Sequence, residues 1–275
     1  MKVLTAREVQ LGELSILKRL AQLCEELELR YFLFYGTLLG AVRHQGFIPW
    51  DDDVDVAMPR PDYDRLIAYL TDHAQELYPL KLMNYHTSKD YIYPISRLCD
   101  TRYRIDYQGT VEYGLGLFVD IYPLDGCGTT QKEKKALVRK NRMLALLAFQ
   151  AGMQKFASSG TAGWRTPAKF LMYCYAKLRG SHYFAKRLEK NAKRYSYEGC
   201  ETVNCMVWDV LDFGIDKKLL EGCRYLPFED TRFRVPEGYD GVLRLFYGDY
   251  MQLPPEEDRV GHHYYTAYIK EDTEM

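Results

Sequence analysis

Four aspartates fall within five residues, Asp51, Asp52, Asp53 and Asp55, just downstream of an apolar run, Tyr31 to Tyr35, that ends at Gly36-Thr37. If residues 51 to 56 are extended, side chains alternate, so Asp51, Asp53 and Asp55 share a face and Asp52 points away. Like charges two apart repel, and the set is unfavourable unless a cation neutralises it. Carboxylates clustered without a nearby basic residue suit a hard, oxygen-seeking ion such as Mg²⁺ or Mn²⁺. A calcium loop of the EF-hand type is excluded: it needs Gly at its sixth position and Glu at its twelfth, where Val56 and Asp62 stand. A solvated acidic turn fits poorly, because the chain continues into Val54-Asp55-Val56-Ala57-Met58.

Around this stretch the pattern is of mixed type. Thr5 and Glu8 have capping-box spacing, and leucines from Leu11 to Leu27 predict an amphipathic helix over 6–28. Strands are expected at 31–35 and 53–58, with a short helix over 38–43 whose N-terminus at Gly36-Thr37 offers backbone N–H groups to a phosphate. Pro59-Arg60-Pro61 ends the second strand, and Asp62 is read as the cap of a helix running to about 77. Residues 80–85, 91–99 and 101–107 read as extended. A β-rich run over 117–122 is expected to stop at Pro123 and an Asp125-Gly126 turn. Asp120 stands inside that run between Val119 and Ile121, costly unless paired or metal-bound. A final helix is expected to end at Tyr247-Gly248.

The runs Phe34-Tyr-Gly-Thr-Leu-Leu-Gly-Ala-Val-Arg-His44 and Phe47-Ile-Pro-Trp-Asp-Asp-Asp-Val-Asp55 resemble the LicD family of phosphotransferases. That family includes bacterial phosphocholine transferases and is related to the fukutin-type ribitol-phosphate transferases. The small-residue pair followed by Asp-x-Asp also resembles the wider nucleotidyltransferase superfamily, with Thr37 where Gly or Ser is usual. The stretch Tyr247 to Pro255 is similar to the family's C-terminal block, which draws attention to Asp249 and His262. The resemblance covers about 30–60, 90–126 and 224–263. It implies an α+β fold, a nucleotidyltransferase-like mixed sheet with flanking helices, carrying in addition a basic helical lobe. Three parts are expected: a catalytic core over 1–130, the lobe over 131–200, and a C-terminal segment, 201–275, that packs back on the core.

The implied chemistry is transfer of phosphocholine, or a related alcohol phosphate, from a CDP-linked donor to a hydroxyl of a cell-surface glycan precursor of teichoic acid or lipopolysaccharide type. Such transfers rest on positioning and charge neutralisation. Asp53, Asp55 and Asp120 are the implied catalytic carboxylates and, with Asp51, the ligands of Mg²⁺ or Mn²⁺. Asp120 is also placed to accept the hydroxyl proton. Gly36, Thr37, Arg43, Arg97 and Arg104 are candidates for holding the nucleotide and its phosphates, since a guanidinium grips phosphate oxygens bidentately. Tyr91, Tyr93, Tyr103 and Tyr107 are candidates for an aromatic box around choline. Two other readings use the same residues differently: a nucleotidyltransferase moving NMP from an NTP to a small molecule, and a non-enzymatic nucleic-acid-binding protein with a structural acidic stretch.

Composition narrows the setting. The 275 residues carry a net charge of −1, yet residues 131–194 hold sixteen lysines and arginines against two glutamates, a net of +14. The rest of the chain carries −15. Without a recognised nucleic-acid module, docking of this segment on an anionic membrane surface is the expected use, suited to a lipid-linked glycan acceptor. Seven cysteines with no C-x-x-C pair, and a start without a long apolar stretch, point to a cytoplasmic protein at the inner face of the membrane.

Overall fold

The computed structural model describes residues 1–88, 91, 93–107, 114–153, 155–156, 166–208, 214–261 and 265–270. Strand β1 (Lys2–Val3) leads into helix α1 (Ala6–Glu26). Its capping box closes: the Glu8 amide donates to Thr5 Oγ1 (3.3 Å) and the Thr5 amide donates to Glu8 Oε2 (2.8 Å), satisfying donors that a first helical turn leaves open. Leu17, Leu20 and Leu23 are fully buried. Gly12 permits the close approach of α1 to the sheet, since a Cβ there would lie 2.3 Å from Leu117 Cδ1.

The chain continues through β2 (Phe32–Leu33), α2 (Tyr35–Arg43), β3 (Asp55–Pro59), α3 (Arg60–Asp72), β4 (Leu80–Met83), β5 (Ser96–Asp100), β6 (Tyr103–Tyr107) and β7 (Leu117–Gly126). The main sheet has the order β2-β3-β7-β5-β4. Strands β3 and β7 run parallel and the other pairs on this path antiparallel, so the molecule is a mixed α+β structure. All ten residues of β7 are buried, as expected of a central strand covered on both faces. Register sets the site: Asp55 lies beside Asp120 across the β3–β7 step, and Arg97 of β5 lies beside Asp120 on the other side.

Four local expectations are corrected here. The strand expected over 31–35 pairs only at Phe32 and Leu33, and Tyr35, with φ of 41°, opens α2 instead. Its ring packs edge-on against Phe34, Tyr122 and Phe246, burial that favours the turn into the helix. The next strand begins at Asp55, so Asp51 to Asp53 approach it as irregular chain. Asp62 is the third residue of α3, whose cap is Pro59, and it pairs with Arg30 at 2.7 Å. Finally β7 runs through Pro123 to Gly126. Its pairing with β5 ends at Ile121 opposite Ser96, so no β5 acceptor waits for the amide that Pro123 lacks. Asp125 is not a turn residue; its carboxylate accepts two 2.7 Å hydrogen bonds from buried Arg60.

Beyond β7 come the basic helices α4 (Gln131–Gly152), α5 (Thr166–Arg179) and α6 (Ser181–Ala192). Asn191 donates to Asn141 Oδ1 at 2.5 Å and Asn141 to the Met206 carbonyl at 2.9 Å, a buried chain fastening α6 to α4. Strands β8 (Thr202–Asn204) and β9 (Ile215–Asp216) extend the end of β7, and β10 (Cys223–Phe228) and β11 (Thr231–Pro236) form a hairpin. Helix α7 (Tyr239–Tyr247) returns to α2, and β12 (Tyr265–Ile269) joins β1 and β6 in a small antiparallel sheet. Among the described residues no helix is long and apolar enough to cross a membrane.

Candidate active site

A cleft of about 630 Å³ opens between the acidic stretch and the segment that follows α7. This is the size class of small-molecule sites. Asp51, Asp53 and Asp55 line one wall with Gly36 of α2; Tyr247, Asp249, Tyr250 and Gln252 line the facing part, and Tyr35, Trp50, Tyr122 and Trp208 add rings. Two supports fix the acids. Thr37 Oγ1 accepts a 2.8 Å hydrogen bond from the Asp55 amide, and Gln10 of α1 donates to the Asp51 carbonyl at 2.9 Å. Asp52 does not line the cleft; its carboxylate lies against Gly261, and its carbonyl accepts from the Tyr265 hydroxyl at 2.9 Å.

The acids are energetically unsettled as they stand. Burial, reinforced by the Asp53 carboxylate, pushes the Asp51 carboxyl up to about 8. Burial and the charges of Asp53 and Asp120 hold Asp55 well above the usual carboxylate range, and Asp55 Oδ1 is buried without a hydrogen-bond partner. Behind them, Glu13 of α1 is fully buried with both carboxylate oxygens unpartnered, and burial with the neighbouring aspartates raises it strongly too. Among the described residues no three acidic, imidazole or thiol groups already converge closely enough to grip an ion. The donor set is nevertheless all carboxylate oxygen and electron-rich, with an orphaned acceptor in it, and this fits a hard divalent cation.

The other expected site residues divide. Arg43 lines the cleft, where Nη1 donates to the Tyr250 carbonyl at 2.9 Å. Gly36 lines it as well, but the Thr37 side chain is buried and committed to Asp55. Asp120 and Arg97 are outside the lining: Arg97 Nε donates to Asp120 Oδ1 at 2.6 Å, and its guanidinium lies between the rings of Tyr93 and Phe118 at 4.3 and 4.0 Å. Arg97 is therefore spent inside the sheet rather than presented to a phosphate. Arg104 lies on β6 in the separate small sheet and pairs with Asp106 at 2.8 Å.

The expected tyrosine box does not assemble. Tyr91 is fully buried, Tyr93 covers Arg97, Tyr103 packs beside Gly12, and Tyr107 sits at the end of β6 in register with Tyr265. The rings that face the acids are Tyr35, Trp50, Tyr122, Trp208, Tyr247 and Tyr250. Trp50, Tyr247 and Tyr250 belong to the very runs that carry the family resemblance, which was the available signal. For Glu13 the signal was its place in the apolar stripe of α1, four residues from both Val9 and Leu17. Asp249 lines the cleft; His262 lies outside the described residues.

Gly36 offers a direct test of the acid wall. A Cβ there would stand 2.6 Å from Asp51 Oδ2, so Gly36→Ala must displace that carboxylate. Alanine favours helix over glycine by about 1 kcal/mol, so the variant is expected to stay folded while calorimetric Mg²⁺ affinity falls, on the order of tenfold for one mis-set ligand. Unchanged affinity would remove Asp51 from the set.

The class these observations define is a mixed α+β protein with a carboxylate-lined cleft beside its central parallel strands, and sequence comparison narrows it. Residues 28–145 match the profile described as LicD/FKTN/FKRP, nucleotidyltransferase domain. The chain is 33% identical over 281 residues to the lipopolysaccharide cholinephosphotransferase LicD of Haemophilus influenzae, spanning 98% of this chain and all of the relative. A shorter similarity, 36% identical over 82 residues, joins 30% of this chain to 24% of an uncharacterized protein of Rickettsia typhi. The chain belongs to the LicD family, and it is a transferase.

Proposed function

We propose that this protein transfers phosphocholine, or a closely related alcohol phosphate, from a CDP-linked donor to a hydroxyl of a lipopolysaccharide- or teichoic-acid-type glycan precursor at the cytoplasmic face of the membrane. The observation that carries the reading is the single cleft in which Asp51, Asp53 and Asp55 face an aromatic wall. The full-length similarity to a lipopolysaccharide cholinephosphotransferase supports the head group and the acceptor class.

Asp51, Asp53 and Asp55 would hold Mg²⁺ or Mn²⁺, with Asp120 one strand over from Asp55. A bound divalent cation supplies charge neutralisation for the transferred phosphate and lowers the pKa of the attacking hydroxyl. Arg43, anchored on the Tyr250 carbonyl, presents its remaining N–H groups to phosphate oxygens. The rings of Trp50, Tyr247 and Tyr250 offer the quadrupole that attracts a quaternary ammonium. The ion pair with Arg97 keeps the Asp120 carboxylate in one orientation, so we assign it a positioning role beside Asp55.

The test is calorimetric titration with CDP-choline, CDP-ribitol, CDP-glycerol and CTP, each with and without Mg²⁺. Metal-dependent binding of one CDP-alcohol, with CTP weaker, is the expected result and names the donor. Tighter binding of CTP would replace the reading by nucleotidyl transfer, which the same carboxylates can serve. Binding of none would overturn both.

A further inference from the structure

Helix α5 is built inside out. Its one buried side chain is Ala176, while Leu171, Cys174, Tyr175 and Leu178, spaced as one helical stripe, are all exposed. Leu171 is 69% exposed and Leu178 84%. Leaving two leucines in water on one helix face is unfavourable for a free surface. Beside it, between α4 and α6, lies a trough of about 730 Å³ lined by Lys140, Lys186, Arg187, Lys190 and Arg194 over Leu144 and Tyr183. None of these five cations makes an ion pair among the described residues, although Arg187 and Arg194 lie over tyrosine rings.

The apolar stripe and the trough are continuous. The Arg179 guanidinium lies 5.9 Å from the Tyr175 ring on the stripe and 5.0 Å from the Tyr183 ring in the trough, and Arg187 covers Tyr183 from 4.5 Å. A free polyanion would reward the cations and do nothing for the leucines. A neutral or basic protein surface would leave the cations uncompensated. An anionic bilayer satisfies both features: headgroup phosphates meet the trough, and the leucines enter the interfacial layer.

We propose that the helical lobe docks on an anionic membrane, with α5 lying in the interface through Leu171, Tyr175 and Leu178 and the α4–α6 trough receiving lipid phosphates. This surface is separate from the acidic cleft, so it stands or falls independently of the transfer reading.

The experiment is vesicle flotation of the full chain with phosphatidylcholine alone and with phosphatidylcholine and phosphatidylglycerol in equal parts. Wild type should float with the anionic vesicles and not with the neutral ones. Leu171→Ser with Leu178→Ser, and separately Lys186→Ala with Lys190→Ala, should each weaken binding about tenfold or more. Both pairs should keep the wild-type circular dichroism spectrum and melting temperature, which controls for folding. Equal flotation with both vesicles, or with neither, overturns the proposal. So does undiminished flotation of the leucine pair, which would take α5 out of the interface, or retention on soluble polyphosphate without flotation, which would assign the trough to a free polyanion.

Discussion

Asp53→Asn is expected to lower the transfer rate about 10³-fold while making the protein more resistant to heat in the absence of divalent cations. The rate effect follows from removing a charged oxygen from the set that would hold the cation, whose contribution to such transition states is several kcal/mol; about 4 kcal/mol corresponds to ~10³ in rate. The stability effect has the opposite sign. Without a cation, the Asp53 charge raises the cost of ionising Asp51 and Asp55 alike, so asparagine relieves repulsion. A gain of about 1 kcal/mol would move Tm by roughly 2–4 °C in a domain of this size. Melting curves in EDTA and in Mg²⁺ decide it. The wild type should gain from Mg²⁺ and the variant should not. A variant that melts lower in EDTA would mean that Asp53 is a structural residue, and the site would have to be redrawn.

Arg60→Met should be the most destabilising single change outside the apolar core, costing about 3–5 kcal/mol in urea unfolding, because it leaves a buried carboxylate without its partner. Arg60 is 7% exposed and Asp125 1%, and their two 2.7 Å hydrogen bonds tie the start of α3 to the far end of β7. The loss should grow with pH. Burial already pulls the Asp125 carboxyl upward and Arg60 opposes it. With Arg60 gone the folded state holds the proton more tightly than the unfolded chain, so stability drains as pH rises above the unfolded value of about 3.9. Unfolding at pH 5 and pH 8 should therefore show the larger deficit at pH 8. Asp125→Asn should be milder, since Asp64 at 3.6 Å and Glu189 at 3.9 Å still face the Arg60 guanidinium. Equal stability of wild type and Arg60→Met would show that the pair only breaks even with an apolar contact.

What could be read from the sequence was whatever is local. Three carboxylates at alternate positions announce their own repulsion, and an acid inside Leu117 to Tyr122 announces that it needs a partner. Which partner is a matter of strand register. Arg97 looked available for phosphate because nothing in its neighbourhood in the chain engages it, but pairing of β5 with β7 sets it beside Asp120. The tyrosines failed for the same reason. Tyr91 and Tyr93 fall between the acidic strands in sequence, but Tyr91 is fully buried and Tyr93 is taken up by Arg97, whereas Tyr247 and Tyr250 reach the cleft because α7 packs back on α2. Strand β7 reads as stopping at Pro123, but a proline ends a strand only where a neighbour needs its amide; β5 has already stopped at Ser96 opposite Ile121, while β3 stays paired through Leu124. The outward face of α5 was legible only as composition: a basic, leucine-bearing segment gives no hint that its apolar side lacks a cover.

The placement of Arg43 carries one more consequence. Its bond to the Tyr250 carbonyl spans 207 residues of sequence, joining the acids near the start of the chain to the wall that faces them near its end. The stretch matched by the family profile, 28–145, contains Asp51, Asp53 and Asp55 but none of Tyr247, Asp249, Tyr250 and Gln252 on the facing part. Similarity confined to that stretch therefore transmits half a binding site: the charge that would hold an ion, without the surface that would choose what the ion acts on. Relatives that share the first and diverge in the second would keep the chemistry and change its cargo.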